Sequence, residues 1–178
     1  RHEARREWHA VAKLLDIDRE DGIAVVQPGL VTGALYEAVE AEGLFYPPDP
    51  NSWKDCMIGG NVAENAGGPR AFKYGVTRDW VLGLEVCLMG GRTLRTGRRT
   101  AKGVTGYDVT SLLVGSEGTL GFVSEVTYRT IDEHPFKASD LVIFPDPYSC
   151  ARAISRRASS RNTASPTRWP CASLMALK

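Results

Sequence analysis

Between Pro47 and Gly75 the chain reads PPDPNSWKDCMIGGNVAENAGGPRAFKYG, a stretch that leaves backbone bare where side chains normally cover it. Two glycine pairs, Gly59-Gly60 and Gly67-Gly68, bracket Asn61, Val62, Ala63, Glu64, Asn65 and Ala66. Without Cβ atoms such a segment predicts a loop whose N–H groups converge on a phosphate or a ring edge. A second segment repeats the design. Gly115-Ser116-Glu117-Gly118-Thr119-Leu120-Gly121 punctuates a turn that opens into the apolar run Phe122 to Ile131, which reads as a strand.

The pattern elsewhere is α+β rather than alternating βαβ. LLDID (14–18) and IAVVQ (23–27) flank Arg19-Glu20-Asp21-Gly22 as a hairpin. Thr32 is placed to cap a helix from Gly33 to Glu42 that buries Leu35 and Val39, and Gly43 suits a left-handed stop. Leu82, Leu84, Val86 and Leu88 alternate onto one face of a strand from Val81 to Met89. Gly90-Gly91 predicts a two-residue hairpin loop of the primed type, with Arg92 to Thr96 returning. Asp108 is placed to cap a short helix that runs to Val114 and is ended by Gly115.

Several function classes are disfavoured by composition. The 22 basic and 21 acidic residues leave a formal charge of +1, which offers no general field for nucleic acid or a membrane surface. The charge is unevenly placed: residues 151–178 hold five Arg and one Lys with no acid. Cys56, Cys87, Cys150 and Cys171 show neither C-x-x-C spacing nor a His cluster, so neither a zinc site nor a disulfide scaffold is indicated, and reduced thiols fit a cytoplasmic protein. No apolar run approaches a membrane span, so direct membrane insertion is not expected. Gly115-x-x-Gly118-x-x-Gly121 is not the G-x-G-x-x-G of a dinucleotide fold, and there is no Walker A motif.

Taken together with Val26-Gln27-Pro28-Gly29, Pro47-Pro48-Asp49-Pro50 and Thr105-Gly106-Tyr107-Asp108, the glycine segments resemble the FAD-binding domain of the vanillyl-alcohol oxidase (PCMH) type. The likeness is greatest to the glycolate oxidase flavin subunit and to FAD-linked D-lactate and D-2-hydroxyglutarate dehydrogenases, and it covers roughly residues 14–147. It implies a mixed or antiparallel sheet flanked by helices. By resemblance, Gly59, Gly60 and Asn61 approach the flavin and its pyrophosphate, with Asn61 adding its amide. Ala63, Asn65, Gly67 and Gly68 continue that wall, and Pro48 and Asp49 edge the isoalloxazine. Cys56 precedes the first glycine pair, Gly75 makes a tight turn near the cofactor, Glu117 and Gly118 line the adenosine half, and Gly121 and Val123 present backbone to adenine. No metal site is expected.

The resemblance further implies an enzyme that passes a hydride from a small 2-hydroxy acid to FAD, giving a 2-oxo acid. Companion electron-transfer subunits, one an iron–sulfur protein, would hold it at a membrane periphery if anywhere. The catalytic base is assigned to no residue of this chain; the family draws its base, its substrate-binding Arg and its metal-binding His from a later segment. Residues 1–12 lack the Pro- and Gly-rich phosphate loop expected there, residues 13–147 are expected to form an incomplete FAD-binding domain, and 148–178 to begin a truncated or altered cap, its helix giving way from Ala151 to a basic Ser- and Arg-rich tail. The rival reading is a remnant of the fold that binds a partner and no flavin.

Overall fold

Two hairpins supply the outer strands of a five-stranded antiparallel sheet, and one later strand fills the gap between them. The computed structural model describes residues 11–100, 106–134 and 142–160; the expectations for residues 1–10 and for the tail past residue 160 lie outside these. By its contacts the chain divides into two units, Arg1–Glu133 and His134–Lys178. In the first, β1 (Leu14–Asp18) pairs with β2 (Ile23–Val26), and β4 (Val81–Cys87) with β5 (Thr93–Gly97). Strand β6 (Phe122–Arg129) lies between β2 and β4, so the order is β1-β2-β6-β4-β5. Its register sets Val126 opposite both Val26 and Leu84.

That register gives the sheet one apolar face. Ala24, Val26, Leu84, Val86, Val126 and Tyr128 are all buried there. Against them pack Leu35 and Val39 of helix α1 (Thr32–Ala41), Ile58 and Val62 of α2 (Ile58–Glu64), and Leu113 of α4 (Val109–Leu113). Between α2 and β4 come the single turn α3 (Ala71–Tyr74) and a 3-10 turn, Thr77–Trp80. Gly43, at φ 73°, ends α1 in the left-handed region that lacks a Cβ penalty, and Leu44 beyond it is buried. Asp108 caps α4 as expected, accepting from the Ser111 N–H at 2.9 Å.

Three local expectations are corrected. Thr32 does not cap α1: Val31 occupies the cap position, and the Thr32 side chain turns inward. The apolar run from Phe122 stops at Arg129, and Ile131–Asp132 forms a separate strand, β7, paired with β3 (Leu44–Phe45). The β4–β5 loop holds three residues, not two. Gly91 donates to Leu88 O at 3.0 Å and Leu88 to Arg92 O at 2.8 Å, so Met89 joins Gly90 and Gly91 in the turn.

In the second unit, α5 runs Pro147–Ser160, so helix continues where the Ser- and Arg-rich sequence predicted its end. Asp146 starts it by accepting from the Ser149 N–H at 2.8 Å and from Ser149 Oγ at 2.7 Å. No helix among the described residues is long and apolar enough to cross a membrane.

Candidate functional site

The first glycine pair is not a loop. Gly59 and Gly60 lie in the opening turn of α2, although glycine is a poor helix former. Tertiary hydrogen bonds hold it there. The segment after β2 runs antiparallel to the segment entering α2: Gly33 N–H donates to Trp53 O (2.9 Å), Thr32 N–H to Cys56 O (3.0 Å), Ile58 N–H to Leu30 O (2.9 Å) and Gly59 N–H to Pro28 O (2.7 Å). A Cβ on Gly59 would sit 2.8 Å from Pro28 Cβ, so only glycine allows this approach.

One residue on, the situation reverses. A Cβ on Gly60 would meet nothing within 4 Å, and among the described residues its N–H donates to no backbone group. Bare backbone and a spare donor therefore face open space. Asn65, in the left-handed region at φ 54°, closes the helix, with its Oδ1 accepting from Arg78 N–H at 2.9 Å.

The second glycine segment hangs from the end of this helix. Gly115 N–H donates to Val62 O and Glu117 N–H to Ala63 O, each at 2.9 Å. Gly118, at φ 73°, has open space where a Cβ would stand. Gly121 is seated on β4, its would-be Cβ 2.6 Å from Val86 Cγ1. The two segments thus form facing walls of a cavity of about 660 Å³. Cys56, Gly59, Gly60, Asn61 and Ala63 line one wall. Gly118, Gly121 and Val123 line the other, with Phe122 beside them.

Asn61 is partly committed within the protein. Its Nδ2 donates to Thr32 Oγ1 at 2.7 Å, so one of its two amide hydrogens is used inside the protein. Gly59 is unable to donate outward, because Pro28 O already takes its proton.

The structure does not bring the remaining expected residues to the cavity. Pro48 accepts a hydrogen bond from the Tyr36 hydroxyl through its carbonyl. Asp49 is paired with Arg70, by Oδ2 to Nε at 3.3 Å and by Oδ1 to the Arg70 N–H at 2.8 Å. Burial raises the Asp49 carboxyl above its ordinary range, and the Arg70 interactions oppose that shift. Gly68 is glycine for this neighbour, since a Cβ there would lie 1.9 Å from Asp49 O. Gly75, at φ 84°, would place its Cβ 2.1 Å from Asp79 Oδ2, and Gly67 packs on Val76 and Ala71. Asn65 and Glu117 act through the backbone geometry already described. The bareness of Gly68 and Gly75 serves the approach of one chain segment to another.

Pro28, Pro50 and Glu64 also line the cavity. In sequence Pro28 stood only as part of the Val26-Gln27-Pro28-Gly29 motif, and nothing local showed that it forms a wall. Among the described residues, no group of three His, Cys, Asp or Glu could hold a metal ion.

This arrangement fits FAD: a spare N–H and two bare Cα positions face a mainly apolar hollow of cofactor-binding size. The family described as FAD binding domain matches residues 8–97, just over half of the chain, and the chain belongs to that family. Its cofactor is FAD. Over 143 residues it is 50% identical to the protein named glycolate oxidase subunit GlcD from Bacillus subtilis (strain 168), covering 80% of this chain and 30% of that one. A D-2-hydroxyglutarate dehydrogenase from Stutzerimonas stutzeri (strain A1501) is 42% identical, covering 74% of this chain and 28% of its own. A D-lactate dehydrogenase from Anaerostipes hadrus is 44% identical, covering 67% and 25%. Among solved structures, alkyldihydroxyacetonephosphate synthase aligns at a TM-score of 0.60 and 27% identity, over 68% of this chain and 23% of that one. The chain thus spans less than a third of the length of these curated relatives.

Proposed function

We propose that this domain holds the FAD of a flavoprotein that oxidises a small 2-hydroxy acid to a 2-oxo acid. The observation that carries the cofactor's position is Gly60, whose unpaired N–H and missing Cβ face the cavity between α2 and the Gly118–Val123 turn. Bound there, FAD supplies the electron-accepting ring that a dehydrogenation needs. The chain's residues do the holding. Gly60 donates its N–H, Gly118 and Ala63 admit close approach, and Met57, Leu113 and Phe122 exclude water from an apolar wall.

The substrate class rests on the relatives. Glycolate, D-lactate and D-2-hydroxyglutarate, which their names print, share a hydroxyl on the carbon next to a carboxylate. Among the described residues, the ionisable groups lining the cavity are Cys56 and Glu64, and no described Arg or Lys lines it to anchor a carboxylate. Other residues of the whole protein would supply that anchor and the base. The relative named as a subunit supports a companion that takes electrons onward, for which an iron–sulfur protein is our choice.

Two measurements test the two parts. The purified chain, mixed with FAD and desalted, should keep a flavin absorption band; loss of all flavin would sink the site. The whole protein should then reduce a dye acceptor with glycolate, D-lactate or D-2-hydroxyglutarate. Retained flavin with no turnover of any of the three would remove the substrate class and leave the site standing.

A further inference from the structure

We propose that Thr32, which does not line the cavity, sets how tightly the site holds FAD by fixing Asn61 and Cys56 on its wall. This rests on the FAD site described above. Thr32 is completely buried, and its Oγ1 serves three groups at once. It accepts from Asn61 Nδ2 at 2.7 Å, donates to Cys56 O at 3.2 Å and touches Cys56 Sγ at 3.2 Å.

The hydroxyl is not needed to align the two segments. Four backbone bonds already do so, from Gly33, Thr32, Ile58 and Gly59. What the hydroxyl decides is the direction of the side chains of two residues that line the cavity, Asn61 and Cys56. Asn61 is only 4% exposed, and Thr32 Oγ1 is the partner of its Nδ2 among the described residues. A buried donor left unpaired is costly enough to seek a new acceptor. Asn61 lines the cavity, so an amide released from Thr32 would find room in the volume that FAD would fill. Removing the hydroxyl should therefore register in affinity for the cofactor, beyond any change in folding.

The test compares the wild-type chain with Thr32→Val, Thr32→Ser and Thr32→Ala. FAD is titrated by calorimetry, the visible band of the bound flavin is recorded, and the thermal midpoint is measured without FAD. We expect Thr32→Val and Thr32→Ala to weaken binding by about tenfold or more, roughly 1.4 kcal/mol, and to shift the flavin band. Thr32→Ser should bind within about threefold of wild type and keep the wild-type spectrum. On an Asn61→Ala background, Thr32→Ala should cost clearly less than it does alone, the remainder reporting the Cys56 contacts. Should Thr32→Val fail to fold, the Ser and Ala variants, which differ by the oxygen alone, decide the matter. Equal affinities and spectra for those two would overturn the inference while leaving the site intact. A wild-type chain that takes up no FAD would overturn the site and this inference together.

Discussion

Two adjacent glycines in α2 should respond in opposite ways to the same methyl group. At Gly60 the helical backbone accepts a Cβ without strain and nothing stands within 4 Å. Alanine there lowers the entropy of the unfolded chain, stabilising by roughly 0.5 kcal/mol at the edge of a helix, a rise of about 2 °C in thermal midpoint. At Gly59 the same Cβ would sit 2.8 Å from Pro28 Cβ and 3.2 Å from Pro28 O. Overpacking of this kind costs about 1–3 kcal/mol. If FAD lies against the bare Gly60 Cα, a methyl there overlaps the cofactor at a comparable cost, which is about five- to a hundredfold in affinity. Gly60→Ala should therefore raise the midpoint of the flavin-free chain and weaken FAD binding, whereas Gly59→Ala lowers the midpoint outright. Differential scanning calorimetry without FAD and titration with FAD separate the two effects. Unchanged affinity in Gly60→Ala would refute the placement of the cofactor, and a lowered flavin-free midpoint would refute the open space itself.

Gly68→Ala should destabilise by more than about 3 kcal/mol in urea unfolding, because φ 156° and a Cβ 1.9 Å from Asp49 O cannot both be accommodated. Asp108→Ala should cost about 1 kcal/mol at neutral pH through loss of the α4 cap. The Ser111 hydrogen bonds hold the Asp108 carboxyl below its usual 3.8, so that difference should be complete above this value and fade as pH falls through the lower folded value; a difference growing toward acid would contradict the assignment. Thr130→Val should be neutral or stabilising by up to about 1.5 kcal/mol, since Thr130 Oγ1 is buried with no partner among the described residues. A loss above about 1 kcal/mol on denaturation would reveal a partner.

Much of the frame was legible in sequence because its signals are local. The Asp21-Gly22 turn, the alternation through Leu84 and Val86, the Asp108 cap and the Gly43 stop each act within a few residues and appear where expected. The glycine segments were legible as special backbone but not as to purpose. Gly59, Gly68 and Gly75 are bare because Pro28, Asp49 and Asp79 press on them, and those neighbours are set by the tertiary fold. Gly60 and Gly118 are bare toward the cavity, and the sequence makes no distinction between the two kinds. Thr32 illustrates the same limit. Before a helix it reads as a cap, but its hydroxyl is claimed by residues 24 and 29 positions away. At Gly59-Gly60 the propensity for a loop lost to hydrogen bonds made with the Pro28–Gly33 segment.

The central position of β6 governs how the domain can be made. Val26 and Val126 are paired across the middle of the sheet although the chain between them holds most of the domain. As the chain leaves the ribosome, β1–β2 and β4–β5 can close early as local hairpins, each with an inner edge of unpaired N–H and C=O groups. Those edges wait for residues 122–129, the last of the five strands to emerge. The Ser116–Val123 turn arrives on the same stretch of chain, so the second wall of the cavity is delivered together with the strand that unites the sheet. A nascent chain halted before Ser116 would carry two half-sheets and one wall of the cradle, and release of residues 116–129 would complete both.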